Sequence, residues 1–175
     1  MEGTAGDKPS VGYHGTHRDT AKLIMCSNEF RCSIGNEHWL GKGIYFYLEK
    51  SDAILWAAAN QKDPAVLSVD ITVSDDAWLD YDAPAPGSGK TYYGVIAEQF
   101  EEKFSRRLDP QKGQQNQCAI AEYIWEKYPS IMLLVAKFPY QRRKFPFVKD
   151  WRPLRREMCA RDNSLISNIS LCDIH

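Results

Sequence analysis

No stretch of this chain approaches the roughly 20 consecutive apolar residues of a membrane-spanning helix, which excludes a helical membrane segment and a membrane partner. The first ten residues are small and polar, without the charged and apolar regions of a secretory signal, so a cytoplasmic setting is expected. Five cysteines, Cys26, Cys32, Cys118, Cys159 and Cys172, are odd in number and show no C-x-x-C spacing. That argues against a disulfide framework and for reduced thiols. With only four scattered histidines there is no metal-ligand pattern, and no metal is expected. Repeats and domain-dividing linkers are also missing, so the 175 residues read as one domain, 11–175, behind a flexible N-terminus, 1–10.

What is present is a folding sequence, 43% hydrophobic and 12% aromatic, with unevenly spread charge. Between Lys137 and Arg161 nine Lys/Arg face only Asp150 and Glu157, a net of +7 in a chain whose total is −1. Hydrophobic periodicity orders the elements. A short strand at 11–14 leads to Thr16, placed to cap a helix through Met25. A polar loop at 27–41 precedes a strand at 43–47, and Ser51 then caps a helix to Asn60. Leu67, Val69, Ile71 and Val73 alternate with polar residues as a half-buried strand does. A surface loop covers 74–90, and helical spacing of Tyr92, Val95, Ile96, Phe100 and Phe104 predicts a helix over 91–107. A linker at 111–116 precedes a helix at 117–128. Ile131 to Ala136 is apolar throughout, fitting a strand buried on both faces. An ordered loop or edge strand at 138–154 and a last pair of strands, 155–161 and 165–172 around Asp162-Asn163-Ser164, complete a mixed α+β fold.

Three strand ends carry chemistry. On 43–47, Ile44 and Phe46 share one face and leave Tyr45 on the other; Gly41 and Gly43 would let the backbone approach a ligand. The tyrosine is either a core aromatic or a ring that stacks on a flat heterocycle. His14 stands where the first strand meets Gly15, as a structural histidine or as a partner for a ribose hydroxyl. Glu157 shares a face with Arg155, Cys159 and Arg161, opposite Met158 and Ala160. It either pairs with the arginines or stabilises positive charge developing at a sugar carbon.

The segments G-Y-H-G-T (12–16), G-K-G-I-Y-F (41–46) and R-E-M-C-A-R-D-N-S-L-I (156–166) together resemble the mono- and poly-ADP-ribosyltransferases of the H-Y-E branch, the diphtheria-toxin and poly(ADP-ribose) polymerase-like group. The spacing of Glu157, Asp162 and Ile166 fits that family's last motif. The resemblance implies two packed, mainly antiparallel sheets flanked by helices around an NAD⁺ cleft. It implies NAD⁺ as co-substrate, bound without a Rossmann fingerprint. His14 would hold the adenosine ribose, Gly15 backbone groups would grip the nicotinamide carboxamide, Thr16 would also contact the cofactor, and Tyr45 and Trp56 would stack on the nicotinamide ring. Arg31 or His38, in a short donor loop at 27–40, would meet the pyrophosphate. Glu157 would be the catalytic carboxylate. Ala53 departs from the pattern, standing where the polymerase branch commonly has a serine that bonds the carboxamide.

The acceptor is read as nucleic acid or protein. The stretch 137–161 interleaves basic residues with Phe138, Tyr140, Phe145, Phe147 and Trp151, the combination that single-stranded nucleic acid requires, or else a solvated face over packed aromatics. Mono-ADP-ribosylation is expected, by analogy of size and family from a toxin or phage-defence effector with an antitoxin or inhibitor protein as partner. Gln99-Phe100-Glu101 is formally the Q-x-E of the arginine-directed branch but falls inside a helical pattern. The alternatives are a non-catalytic module for ADP-ribose or nucleic acid, and a structural domain with coincidental motifs.

Overall fold

A computed structural model describes residues 7–35, 38–139 and 154–173. The chain runs β1 (Val11–His17), α1 (Arg18–Ser27), β2 (Ile44–Tyr47), α2 (Lys50–Asn60), β3 (Pro64–Ile71), β4 (Trp78–Asp80), α3 (Tyr92–Phe104), α4 (Gly113–Lys127), β5 (Leu133–Pro139), β6 (Leu154–Ala160) and β7 (Ile166–Cys172). The α+β class stands. Among the described residues no helix is long and apolar enough to cross a membrane.

The strands form one sheet in the order β4-β5-β6-β2-β1-β3-β7, antiparallel except for β4 beside β5. The expected pair of sheets is therefore corrected to a continuous one. It is nevertheless weakly joined at its centre: β1 and β2 meet through a single residue pair, Tyr13 opposite Tyr47. β1 instead spends its full length on β3, from Val11 opposite Asp70 to His17 opposite Pro64. β2 is only four residues long and is matched throughout by β6. The two halves of the sheet thus part along a seam between β1 and β2.

Side-chain alternation sorts the core onto the two faces. On the first face Ile44, Phe46, Leu67, Val69, Leu133, Val135, Met158 and Ala160 pack with Ala21 and Ile24 of α1 and with Phe30. On the second, Leu134, Ala136, Phe138 and Cys159 pack under α4 through Ile120, Ala121 and Ile124, while Ala53 and Ala57 of α2 pack on Val66. β5 is buried on both faces, as its unbroken apolar run predicts.

Several boundaries differ from expectation. Thr16 does not cap α1. It sits in β1 opposite Ala65, 8% exposed, and His17 takes over, its Nδ1 accepting from Asp19 N at 3.2 Å. A β-branched side chain already buried in the sheet cannot also turn back to a helix end. Ser51 lies inside the first turn of α2, whose cap position is Glu49. α3 stops at Phe104 because Ser105 adopts φ 46°, and α4 begins at Gly113, so its first turn takes up most of the expected linker. Within the expected 74–90 loop, Trp78, Leu79 and Asp80 form an edge strand, all three buried. β6 and β7 are not a hairpin. β6 lies between β5 and β2 and β7 at the far edge, the chain crossing over through the short helical turn Asn163–Leu165. Of the expected N-terminal tail, Ser10 O accepts from Ile71 N at 2.9 Å and Lys8 pairs with Asp75 at 2.5 Å.

Candidate functional site

The candidate site lies on the second face beside the thin β1–β2 junction. β2 places Tyr45 and Tyr47 on the second face, and the β2–β6 register sets Tyr45 opposite Cys159 and Tyr47 opposite Glu157. Tyr45 and Glu157 therefore share a face as diagonal neighbours, close enough to interact. Burial pushes the Tyr45 phenol far above its ordinary range. Its hydroxyl is fully committed, donating to Gly41 O at 2.6 Å and accepting from Leu40 N at 2.9 Å. The phenol anchors the 38–41 turn and the ring is what remains to meet a ligand. One neighbour of that ring is His38, its centroid 5.6 Å away at a tilt of 41°.

Glu157 is 6% exposed. Arg155, two residues earlier and on the same face, forms an ion pair with it. Burial pushes the Glu157 carboxyl above the usual carboxylate range; the Arg155 charge pulls it back, and Asp52, buried in the first turn of α2, pushes it further up. The guanidinium of Arg155 lies over the Tyr47 ring at 5.7 Å.

The glycines serve packing. A Cβ on Gly15 would meet Ala53 O at 2.6 Å, Trp56 Cε3 at 3.1 Å and Ala57 Cβ at 3.2 Å. That glycine seats α2 on β1, and the space it leaves is filled by the helix. Gly41, at φ 74°, faces Glu122, whose Oε1 accepts from Lys42 N at 2.5 Å, and Gly43 is pressed against Cys159 and Ala160. The expectation that Gly41 and Gly43 open the backbone to a ligand is corrected accordingly. Trp56, on α2, is half-buried with its ring edge at Gly15.

His14 is on the other side of the sheet. Its ring makes edge contacts with Phe30 (5.1 Å) and Phe46 (5.9 Å), both first-face residues. Its Nδ1 lies 2.9 Å from Tyr45 O. A carbonyl only accepts, so Nδ1 carries the proton. Enclosure lowers the pKa, which favours the neutral ring with Nε2 as an acceptor. Thr16 shares this first-face parity, and Arg31 is exposed in the loop after α1, next to Phe30.

The structure thus brings Glu157 and Tyr45 together on one face, where α2 also carries Trp56 against Gly15. It places His14 and Thr16 on the opposite face and joins the two sets through the Tyr45 backbone. Sequence reasoning missed Tyr47, Asp52 and the enclosure of the Arg155–Glu157 pair. Alternation along β6 contained the signal for Arg155; Asp52 looks like any acid in a first helical turn.

Among the described residues no three His, Cys, Asp or Glu side chains are placed to hold a metal. Most of the basic, aromatic stretch 137–161 lies outside the described residues; within them, Phe138 is fully buried against Trp39, a core residue and not a surface for bases.

No family model matches the chain. Over 51 residues, 29% of this chain, it is 49% identical to an uncharacterized protein of Methanocaldococcus jannaschii, and the match spans 24% of that relative's length.

Proposed function

We propose that this protein is an NAD⁺-dependent mono-ADP-ribosyltransferase. The observation that carries the reading is the enclosed Glu157 carboxylate on the same sheet face as the Tyr45 ring, beside the thin β1–β2 junction. The nicotinamide half would lie on the second face, against Tyr45 and Trp56; the Gly15 peptide is covered there by α2 and is not a contact. The adenosine ribose would donate a hydroxyl hydrogen bond to His14 Nε2 across the seam, with Thr16 and Arg31 on that side toward the pyrophosphate. When the glycosidic bond breaks, its electron pair leaves with neutral nicotinamide and the ribose gains cationic character. Glu157 stabilises that charge and draws the proton from the acceptor nucleophile as it bonds to the sugar carbon.

The acceptor would be nucleic acid or protein, and the protein a toxin or defence effector held by an inhibitor. Nicotinamide release from NAD⁺ tests the core of the reading. Glu157→Gln should fold and lose roughly 10²–10³ in rate, the usual cost of removing one charge stabiliser. Equal turnover in the variant removes Glu157 from the chemistry. The second reading, a module that holds ADP-ribose or nucleic acid without turnover, draws on the fact that Glu157 already has Arg155 as partner. It requires ADP-ribose binding with no nicotinamide release from the wild type.

A further inference from the structure

The proposed chemistry needs Glu157 charged, yet its surroundings oppose charge. Arg155 and Glu157 project from the same face of β6, and their ion pair is enclosed, with side-chain exposures of 12% and 8%. Tyr47, opposite Glu157 in the register, lies beneath the guanidinium at 5.7 Å. Among the described residues the other ionisable groups around the carboxylate are Cys159 on its own strand, Tyr45 and Tyr47 on β2 and Asp52 on α2. β5 presents only Ala136 opposite it. Among these described groups Arg155 is the one that carries positive charge. Burial and Asp52 both favour the protonated acid, and Arg155 opposes them. A paired carboxylate stabilises a cation less well than a bare one, but a protonated one does not stabilise it at all.

We propose that Arg155 is a positioning residue for the reaction: its guanidinium, braced on Tyr47, keeps the enclosed Glu157 carboxylate ionised and fixed on the Tyr45 face. This rests on the reading of Glu157 given above, and the two are separable by experiment. The full chain is labelled with ¹³C at glutamate side-chain carboxyls, and the Glu157 resonance is identified by its loss in E157Q. It is then titrated by NMR in wild type, R155M and R155K. The wild-type midpoint should lie below neutral pH. R155M should raise it by roughly one to three pH units, the usual effect of an adjacent opposite charge, and R155K should bring it back toward the wild-type value. The acid limb of nicotinamide release should move by the same interval. Turnover in R155M should fall about tenfold per pH unit below the new midpoint and recover at alkaline pH, which a merely misfolded variant would not do.

An unchanged midpoint in R155M overturns the inference whatever the activity. If R155M does not fold, a wild-type midpoint above neutral pH overturns it without any variant. A shifted midpoint in a protein that releases no nicotinamide at any pH leaves Arg155 as the keeper of the Glu157 charge and sinks the transferase reading instead.

Discussion

Replacing Gly15 by alanine separates two reasons for a glycine at that position. If the glycine is there to let a ligand near the backbone, the free protein should tolerate one methyl group. The structure instead puts Ala53 O 2.6 Å, Trp56 Cε3 3.1 Å and Ala57 Cβ 3.2 Å from the new carbon. The nearest of these is helix backbone, which cannot rotate away, so α2 must lift from β1. Overpacking of this kind costs about 1–3 kcal/mol. Alanine also narrows the unfolded ensemble, which returns about 0.4–1 kcal/mol where the backbone is compatible, as at this residue without positive φ. At mid-range the net loss is about 1.3 kcal/mol, or a Tm about 3–5 °C lower for a domain of this size. Calorimetry or circular dichroism without ligand measures it. Gly113→Ala, where nothing lies within 4 Å, is the control and should be neutral or slightly stabilising because it begins a helix. A Gly15→Ala Tm equal to that of the wild type would refute the claim that this residue seats α2.

Beyond the loss of turnover in Glu157→Gln, three further outcomes follow from the geometry. Tyr45→Phe keeps the ring but strands Leu40 N–H and Gly41 C=O, so stability by urea unfolding should fall by about 1–3 kcal/mol with NAD⁺ affinity little changed, whereas Tyr45→Leu should weaken NAD⁺ binding. His14 has a folded pKa below its ordinary 6.5, so as pH falls through 6.5 the unfolded chain takes up a proton that the folded one refuses. Stability should drop on acidification by up to ~1.4 kcal/mol per pH unit, and His14→Asn, whose amide nitrogen can replace Nδ1 toward Tyr45 O, should flatten that limb of a urea-unfolding series. Asp80→Ala leaves Arg156, now 2.7 Å from Asp80 Oδ2, without its buried partner at the β4 edge. The cost by urea unfolding should fall at the lower end of the roughly 3–5 kcal/mol range, because Arg156 keeps 29% of its side chain in solvent.

Much of the strand-level organisation was legible because alternation is a local property. The opposite facing of Tyr45 and Phe46, and of Glu157 and Met158, follows from the period of two wherever those residues form strands. The same holds for the double-sided burial of β5 and for the amphipathic helix after Thr91, whose Oγ1 does cap it. The order of helical and alternating segments likewise pointed to a mixed α+β fold. Parity within a strand, however, says nothing about its neighbours. That β6 reaches β2 while β7 goes to the far edge on β3 is decided by pairings 95 to 116 residues apart, and no local pattern encodes them.

For the same reason the sequence alone could nominate His14, Tyr45 and Glu157 but not say that the first lies across the sheet from the other two. The tertiary structure decided that, through one Tyr13–Tyr47 pair and the register either side of it. It also decided why Gly15, Gly41 and Gly43 are glycines, since a missing side chain looks the same whether a ligand, a helix or a neighbouring strand fills the space. Above all it set the weight of Arg155 beside Glu157. An exposed pair at that spacing would be nearly worthless, and only burial between β2, β5 and α2 gives its charge weight against the desolvation of the carboxylate.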